Sequence, residues 1–194
     1  QHILITAAAG PFDADQLFAE VTTAGRPQLV FQDPFSSLNP AHTVRRIITE
    51  VLRLHKTLTD KAQLHQQADE LLTAVGLSPT AFGDRLPAAL SGGQRQRVAI
   101  ARSLAAKPEL LIADEAVSAL DAPLRAEVLA LLDRLRGERQ LGLLFISHDL
   151  RLVADWADRV LIMDEGRIVE SGPASEVLRA PASDLGRRLA ENLS

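Results

Sequence analysis

The sequence predicts an α/β protein: a mostly parallel sheet with helices on both faces and a helical subdomain inserted into it. Short, almost wholly apolar runs at 109–113, 142–147 and 159–163 have the composition of strands buried on both faces. Stretches with helical spacing alternate with those runs, the order that builds parallel sheets from strand–helix–strand units. Between about residues 34 and 89 the strands stop and helical patterns follow one another, which marks an insertion.

Residues 1–27 open with an apolar run at 2–9, then Gly10-Pro11 and a mixed stretch to which no element is assigned. A short strand is expected at 28–32, closed by Asp33-Pro34. Val44, Ile47, Ile48, Val51, Leu52 and Leu54 recur with the spacing of an amphipathic helix over 43–55. A second helix is expected at 60–75, capped by Asp60 and ended by Gly76. Residues 78–89, with Pro79, Gly83 and Pro87, read as a loop.

A helix then covers 94–106 and stops before Pro108, followed by the strand at 109–113. A helix at 124–139, the strand at 142–147 and a short helix at 149–157 come next. Strands at 159–163 and 167–170 are joined by Asp164-Glu165-Gly166, a good hairpin turn. Short helices at 175–179 and 184–192 finish the chain. The organisation is thus one partial α/β unit: a helical subdomain at about 34–89, a core at 90–172 and a helical tail at 173–194. There is no internal repeat and no low-complexity tract.

Composition narrows the function classes. Lys+Arg at 21 against Asp+Glu at 25 gives a net charge of −4, which argues against a dedicated nucleic-acid binder. The absence of cysteine removes disulfides and thiolate metal sites. The longest apolar runs, such as 141–146, fall far short of the roughly 20 residues of a membrane-spanning helix, so work at a membrane would require docking onto spanning partners. The chain begins at Gln1, with no initiating Met and no signal-peptide pattern, and a cut N-terminus is expected.

The most specific signal is Leu90-Ser91-Gly92-Gly93-Gln94 followed by Arg95-Gln96-Arg97. Two adjacent glycines at a helix start leave backbone N–H groups unobstructed, and the helix dipole adds positive charge there. The Ser91 hydroxyl can donate to a phosphate oxygen at the same place. A capped Gly-Gly turn before any helix is the bland alternative. Downstream, Leu110-Leu111-Ile112-Ala113 ends in Asp114-Glu115, placing two carboxylates at the C-terminal edge of a sheet, where α/β proteins bind ligands. Asp114 is the candidate Mg²⁺ ligand and Glu115 the candidate polariser of an attacking water. His148, in Ser147-His148-Asp149, follows the next apolar strand and can reach a terminal phosphate. Gln32 ends the strand at 28–32 with an amide that could ligate Mg²⁺. Solvated acids at a strand end, a surface histidine and a lone glutamine are the bland readings of these three.

Taken together and in order, Gln32, Ser91-Gly92-Gly93-Gln94, Asp114-Glu115, Ser118-Ala119-Leu120-Asp121 and His148 resemble the ATP-binding cassette family, over about residues 28–172. They are similar, in turn, to its Q-loop, signature motif, Walker B strand with catalytic glutamate, D-loop and switch histidine. The resemblance implies a P-loop NTPase fold, ATP and Mg²⁺ as cofactors, and a dimer of two ATPase subunits. In that dimer Ser91, Gly92 and Gly93 would act across the interface. Gln32, Asp114, Glu115 and His148 would act on the nucleotide held in cis, and Asp121 would link the two sites. Val30-Phe31-Gln32-Asp33-Pro34-Phe35-Ser36-Ser37-Leu38-Asn39-Pro40 looks like the importers of peptides, opines and nickel. Such importers imply integral membrane permease subunits, an extracytoplasmic solute-binding protein, no nucleic acid, and a peripheral place on the cytoplasmic face of the cell membrane. The tail Ala180-Pro181-Ala182-Ser183-Asp184-Leu185-Gly186 departs from the His-Pro-Tyr-Thr-type segment of peptide members, which keeps nickel open beside peptides.

One family element has no counterpart in these 194 residues. The three lysines, Lys56, Lys61 and Lys107, do not follow a glycine, so no G-x-x-x-x-G-K-[ST] phosphate loop (Walker A) is present. Residues 1–27 do not read like the family's usual segment either. The expectation is an N-terminally truncated domain that binds ATP poorly and does not hydrolyse it alone. Chromosome-maintenance ATPases share the signature but insert long coiled coils, and Gln32 and Ser91, only 59 positions apart, leave no space for one. A non-catalytic remnant that supplies the signature motif or only binds partners is the other alternative.

Overall fold

The computed structural model describes residues 3–8 by their backbone, and 27–30, 37–55, 60–118 and 120–191 in full. Among the described residues six strands form one sheet: β1 (Ile3–Ala8), β2 (Gln28–Val30), β3 (Leu110–Asp114), β4 (Gly142–Ser147), β5 (Arg159–Asp164) and β6 (Arg167–Pro173), in the order β2-β3-β4-β1-β5-β6. The pairs β2–β3 and β3–β4 are parallel, as the alternating pattern predicts. β1 lies between β4 and β5 and is antiparallel to both, so β2, β3, β4 and β5 share one direction while β1 and β6 oppose it. The apolar run at 2–9, left unassigned from sequence, therefore supplies an interior strand.

The helices are α1 (Val44–Leu54), α2 (Lys61–Ala74), α3 (Pro79–Phe82), α4 (Gly92–Leu104), α5 (Ala122–Arg139), α6 (Leu150–Trp156), α7 (Ala174–Val177) and α8 (Asp184–Ala190), with a 3-10 turn at Pro87–Ala89. Their starts follow from local chemistry. Thr43, Asp60, Ser91, Asp121, Asp149 and Ser183 each accept a hydrogen bond from a first-turn backbone N–H of the helix they precede. The stretch 78–89, expected as a loop, contains α3 and the 3-10 turn instead. Pro79 and Pro87 sit at first-turn positions, where a missing N–H costs nothing. At the β5–β6 hairpin, Glu165 and Gly166 both have positive φ (47° and 79°), the backbone of the tight turn expected there.

Leu111, Ala113, Leu143 and Phe145 face one side of the sheet and pack with α4, α5 and residues of α1 and α2 in one continuous hydrophobic cluster. Phe145 meets Trp156 of α6 edge-on, ring centroids 5.4 Å apart. Val160 and Ile162, on the same side, pack against α6, α7 and α8. The opposite side carries Leu110, Leu144 and Leu161 with the partly buried Ile112, Ile146, Met163 and Ile168.

Polar contacts from Arg45 and Arg102 help hold the helical stretch between β2 and α4. Arg45 of α1 donates through Nε to Asp69 of α2 at 2.9 Å, and also reaches Asp84 and the Pro79 carbonyl. The Asp69 bond outweighs partial burial and raises the Arg45 pKa above its ordinary value. Arg102 of α4 donates to the Ser37 carbonyl at 2.8 Å, fastening the chain that follows the segment of Gln32.

Candidate nucleotide site

β3 and β4 are parallel and in register with Asp114 beside Ile146, so the residues after both strands emerge at the same edge of the sheet. Asp114 ends β3. Burial first, and the neighbouring Glu115 carboxylate second, push its pKa above the ordinary 3.8. Glu115 has left-handed backbone at φ 45°, a conformation that costs a non-glycine residue about 1–2 kcal/mol. Its N–H donates to the Ile146 carbonyl at 2.9 Å, and its own carbonyl accepts from the Ser118 N–H and hydroxyl at 3.0 and 2.9 Å. These bonds over-determine the turn and swing the Glu115 carboxylate toward β4. There Glu115 Oε1 meets His148 Nδ1 at 2.9 Å. The pair is accessible, His148 at 67% and Glu115 at 31% of full side-chain exposure, as a group that must meet a ligand has to be.

A cavity of about 50 Å³ opens beside this pair, lined by Glu115, Ser118, Arg125, Ser147, His148 and Asp149 among others. That volume admits at least one water. Among the described residues no three His, Cys, Asp or Glu side chains converge as a complete metal site. What is present still suits a hard divalent cation: oxygen donors on adjacent acids, one of them poorly stabilised as an anion, for a metal that takes its other ligands from water and phosphate.

Ser91, Gly92, Gly93 and Gln94 do not line that cavity; they form the tip of α4. Ser91 and Gln94 make a capping box, Ser91 Oγ accepting from the Gln94 N–H at 3.3 Å and Gln94 Oε1 accepting from the Ser91 N–H at 2.9 Å. The Ser91 Oγ acts there as acceptor, which leaves its hydrogen to donate, whereas the Gln94 Oε1 is committed to the cap. The two glycines differ. Nothing lies within 4 Å of where a Gly92 Cβ would be, and the residue is exposed. Gly93 is buried, and a Cβ there would come within 2.5 Å of Leu124 Cδ1 on α5. Asp121 caps α5 by accepting from the Leu124 N–H at 3.0 Å, so this D-loop candidate also has a local structural role.

Gln32 and Ala119 lie outside the described residues. A contributor the motif reading missed is Arg125, which joins Asp149 to the Leu120 carbonyl. It lies four positions beyond Asp121, the end of the D-loop candidate, and carries no sequence signal of its own.

A sheet edge bearing two acids and a histidine, beside a separate glycine-tipped helix, defines a nucleotide-hydrolase-type α/β domain. Residues 13–118 match the profile of the ABC transporter family, and the chain belongs to that family. The match starts inside the stretch 1–27, for which the sequence reading found no family likeness.

Relatives extend the likeness beyond residue 118. The oligopeptide transport ATP-binding protein OppF of Bacillus subtilis (strain 168) is 47% identical over 154 residues, 79% of this chain and 50% of the relative. The nickel import ATP-binding protein NikE of Brucella abortus (strain 2308) is 49% identical over 162 residues, 82% of this chain and 60% of the relative. An uncharacterized ABC transporter ATP-binding protein, YejF of Escherichia coli (strain K12), is 47% identical over 84% of this chain and 31% of its own length. The chain thus spans between 31% and 60% of these relatives. Among solved structures, the ATP-binding cassette MJ0796, a dimer in a post-hydrolysis state bound to ADP and Pi, superposes with a TM-score of 0.65 at 26% identity. The match covers 84% of this chain and 68% of that one. No helix among the described residues is long and apolar enough to cross a membrane.

Proposed function

We propose that this chain is the signature- and Walker B-bearing part of an ATP-hydrolysing subunit of an ABC importer for small peptides or nickel. The observation that carries this reading is the Glu115–His148 contact of 2.9 Å beside Asp114 at one sheet edge. Glu115 accepts the proton of an attacking water, His148 fixes its carboxylate and reaches the terminal phosphate, and Asp114 with Gln32 holds Mg²⁺. The ion, when bound with the nucleotide, neutralises phosphate charge. Ser91, Gly92 and Gly93 offer the exposed helix tip to a nucleotide held by a second ATPase subunit. Asp121 links the two nucleotide sites across the dimer. The subunit docks on permease subunits at the cytoplasmic face of the membrane, and an extracytoplasmic solute-binding protein completes the importer. The relatives' names support peptide and nickel as the solute classes, and the tyrosine-free tail leaves both in place.

These 194 residues contain no G-x-x-x-x-G-K-[ST] loop, so on this reading the chain alone does not turn over ATP and the nucleotide needs such a loop in cis. The test joins the chain to a phosphate-loop segment, from its own reading frame or from the OppF relative, and compares it with Glu115→Gln. The parent hydrolyses ATP, while Glu115→Gln loses at least about 100-fold in kcat, keeps ATP and dimerises more stably. Equal turnover by the two forms, or turnover by the 194-residue chain alone, refutes the assignment.

A further inference from the structure

Arg125, in the first turn of α5, touches the two loops that the Glu115–His148 contact also joins. Its Nη1 donates to Asp149 Oδ2 at 2.9 Å and its Nη2 to the Leu120 carbonyl at 3.4 Å, while its Nε is buried without a partner. Asp149 follows His148 directly. Its other oxygen, Oδ1, accepts from the N–H groups of Arg151 and Leu152 at 3.1 and 3.2 Å, so the same carboxylate sets the start of α6. Leu120 ends the turn that starts at Glu115 and is held by Ser118. Arg125, Glu115 and His148 line one cavity.

As a source of stability the Arg125–Asp149 pair counts for little: its side chains are 30% and 36% exposed, and solvent screens such pairs. Its geometry matters more. A guanidinium has fixed planar donors, so the spacing between its two acceptors is set by one rigid group.

We propose that Arg125 is a positioning residue that fixes the turn 115–120 relative to the turn 147–150, and thereby holds Glu115 against His148. This rests on the proposed hydrolytic site but is separable from it. Arg125 touches neither the reacting groups nor the dimer-facing glycines.

The experiment reads amide hydrogen exchange in the 194-residue chain and kcat and KM for ATP in the loop-joined form. Arg125→Ala should speed exchange at Ser118 and Leu120 and at Arg151 and Leu152 together, by about tenfold, with the β3 amides unchanged. Asp149→Asn keeps an oxygen for the α6 cap but loses the ion pair. It should loosen Leu120, which it does not touch, and a purely local role would not do this. In the joined form Arg125→Ala should lower kcat about tenfold at unchanged KM, with partial recovery in Arg125→Lys. Faster exchange in one turn only, an unmoved Leu120 in Asp149→Asn, or kcat within twofold of the parent overturns the proposal. A parent with no turnover refutes the hydrolytic reading, while the exchange data still decide whether Arg125 couples the turns.

Discussion

The two adjacent signature glycines should respond oppositely to the same methyl group. A Cβ on Gly93 would sit 2.5, 2.7 and 3.0 Å from Leu124 Cδ1, Cδ2 and Cγ. Carbon atoms in contact prefer about 3.5–4.0 Å, so Leu124 must retreat by about 1 Å. Its backbone N–H is held by Asp121, so the shift must come from the side chain repacking between α4 and α5. Overpacking of this kind costs about 1–3 kcal/mol, and the entropy gained on replacing glycine by alanine returns about 0.4–1 kcal/mol. Gly93→Ala should therefore destabilise by about 1–2 kcal/mol, a fall of about 2–8 °C in Tm for a chain of this size. Gly92→Ala meets no atom within 4 Å and neither glycine has a positive φ, so its Tm should hold or rise. Its methyl instead obstructs the open face of the helix tip. Thermal melting of both variants, with turnover of a mixed dimer in which the variant supplies only the signature tip, checks the pair. Equal melting of Gly93→Ala and the parent, or full stimulation by Gly92→Ala, refutes the division of roles.

Two further outcomes follow from charge. Asp114 is held above its ordinary pKa by burial and by Glu115, so its ionised form opposes folding, and stability present at low pH is lost as pH rises through the raised value. Asp114→Asn should therefore melt higher than the parent at neutral pH without divalent cation, and the advantage should vanish below the ordinary value of 3.8. A lower Tm at neutral pH contradicts this. At the other end of the chain, burial raises the Glu170 pKa. The Ser183 hydroxyl, the Ala182 and Ser183 N–H groups and Arg187 outweigh it and leave the value below the ordinary 4.5. The stabilisation is present above 4.5 and disappears as pH falls through the lowered value. Glu170→Gln should release the 182–190 tail to protease, cost about 1 kcal/mol at neutral pH, and lose that acid-dependent step. Melts of the variant and parent that fall in parallel below pH 4.5 count against it.

The parts of the fold legible in sequence were those set by composition over short range. Residues 142–147 start at a glycine, run apolar through 143–146 and end at Ser147, and β4 has those bounds. Asp60 and Gly76 punctuate α2 because capping oxygens and left-handed glycines act within a turn of their position. β1 was illegible because an apolar hexamer carries no record of direction or neighbours; both are fixed by pairing with strands more than 130 residues away. The site divides the same way. Acids at the end of β3 could be named as ligands, but the Glu115–His148 contact depends on the β3–β4 register and on the left-handed turn at Glu115. Neither leaves a mark in a sequence read locally, since glutamate is an unremarkable residue until its φ is known.

The two half-sites are also mechanically closer than their sequence positions suggest. Gly93 at the tip of α4 abuts Leu124, and Arg125, the next residue, reaches Leu120 and Asp149. Successive residues on a helix point about 100° apart, so the first turn of α5 presents one side chain to the signature tip and the next to the turns that carry Glu115 and His148. Asp121 caps that turn and fixes both. A ligand that displaces the α4 tip must move Leu124 or deform its packing, and a rotation of the first turn of α5 that relieves Leu124 carries Arg125 with it. Contact at the signature tip and geometry at Glu115 are thus joined through two neighbouring residues on one rigid element. The joint variant Gly93→Ala with Arg125→Ala should accordingly depart from additivity in Tm, whereas Gly92→Ala with Arg125→Ala should not.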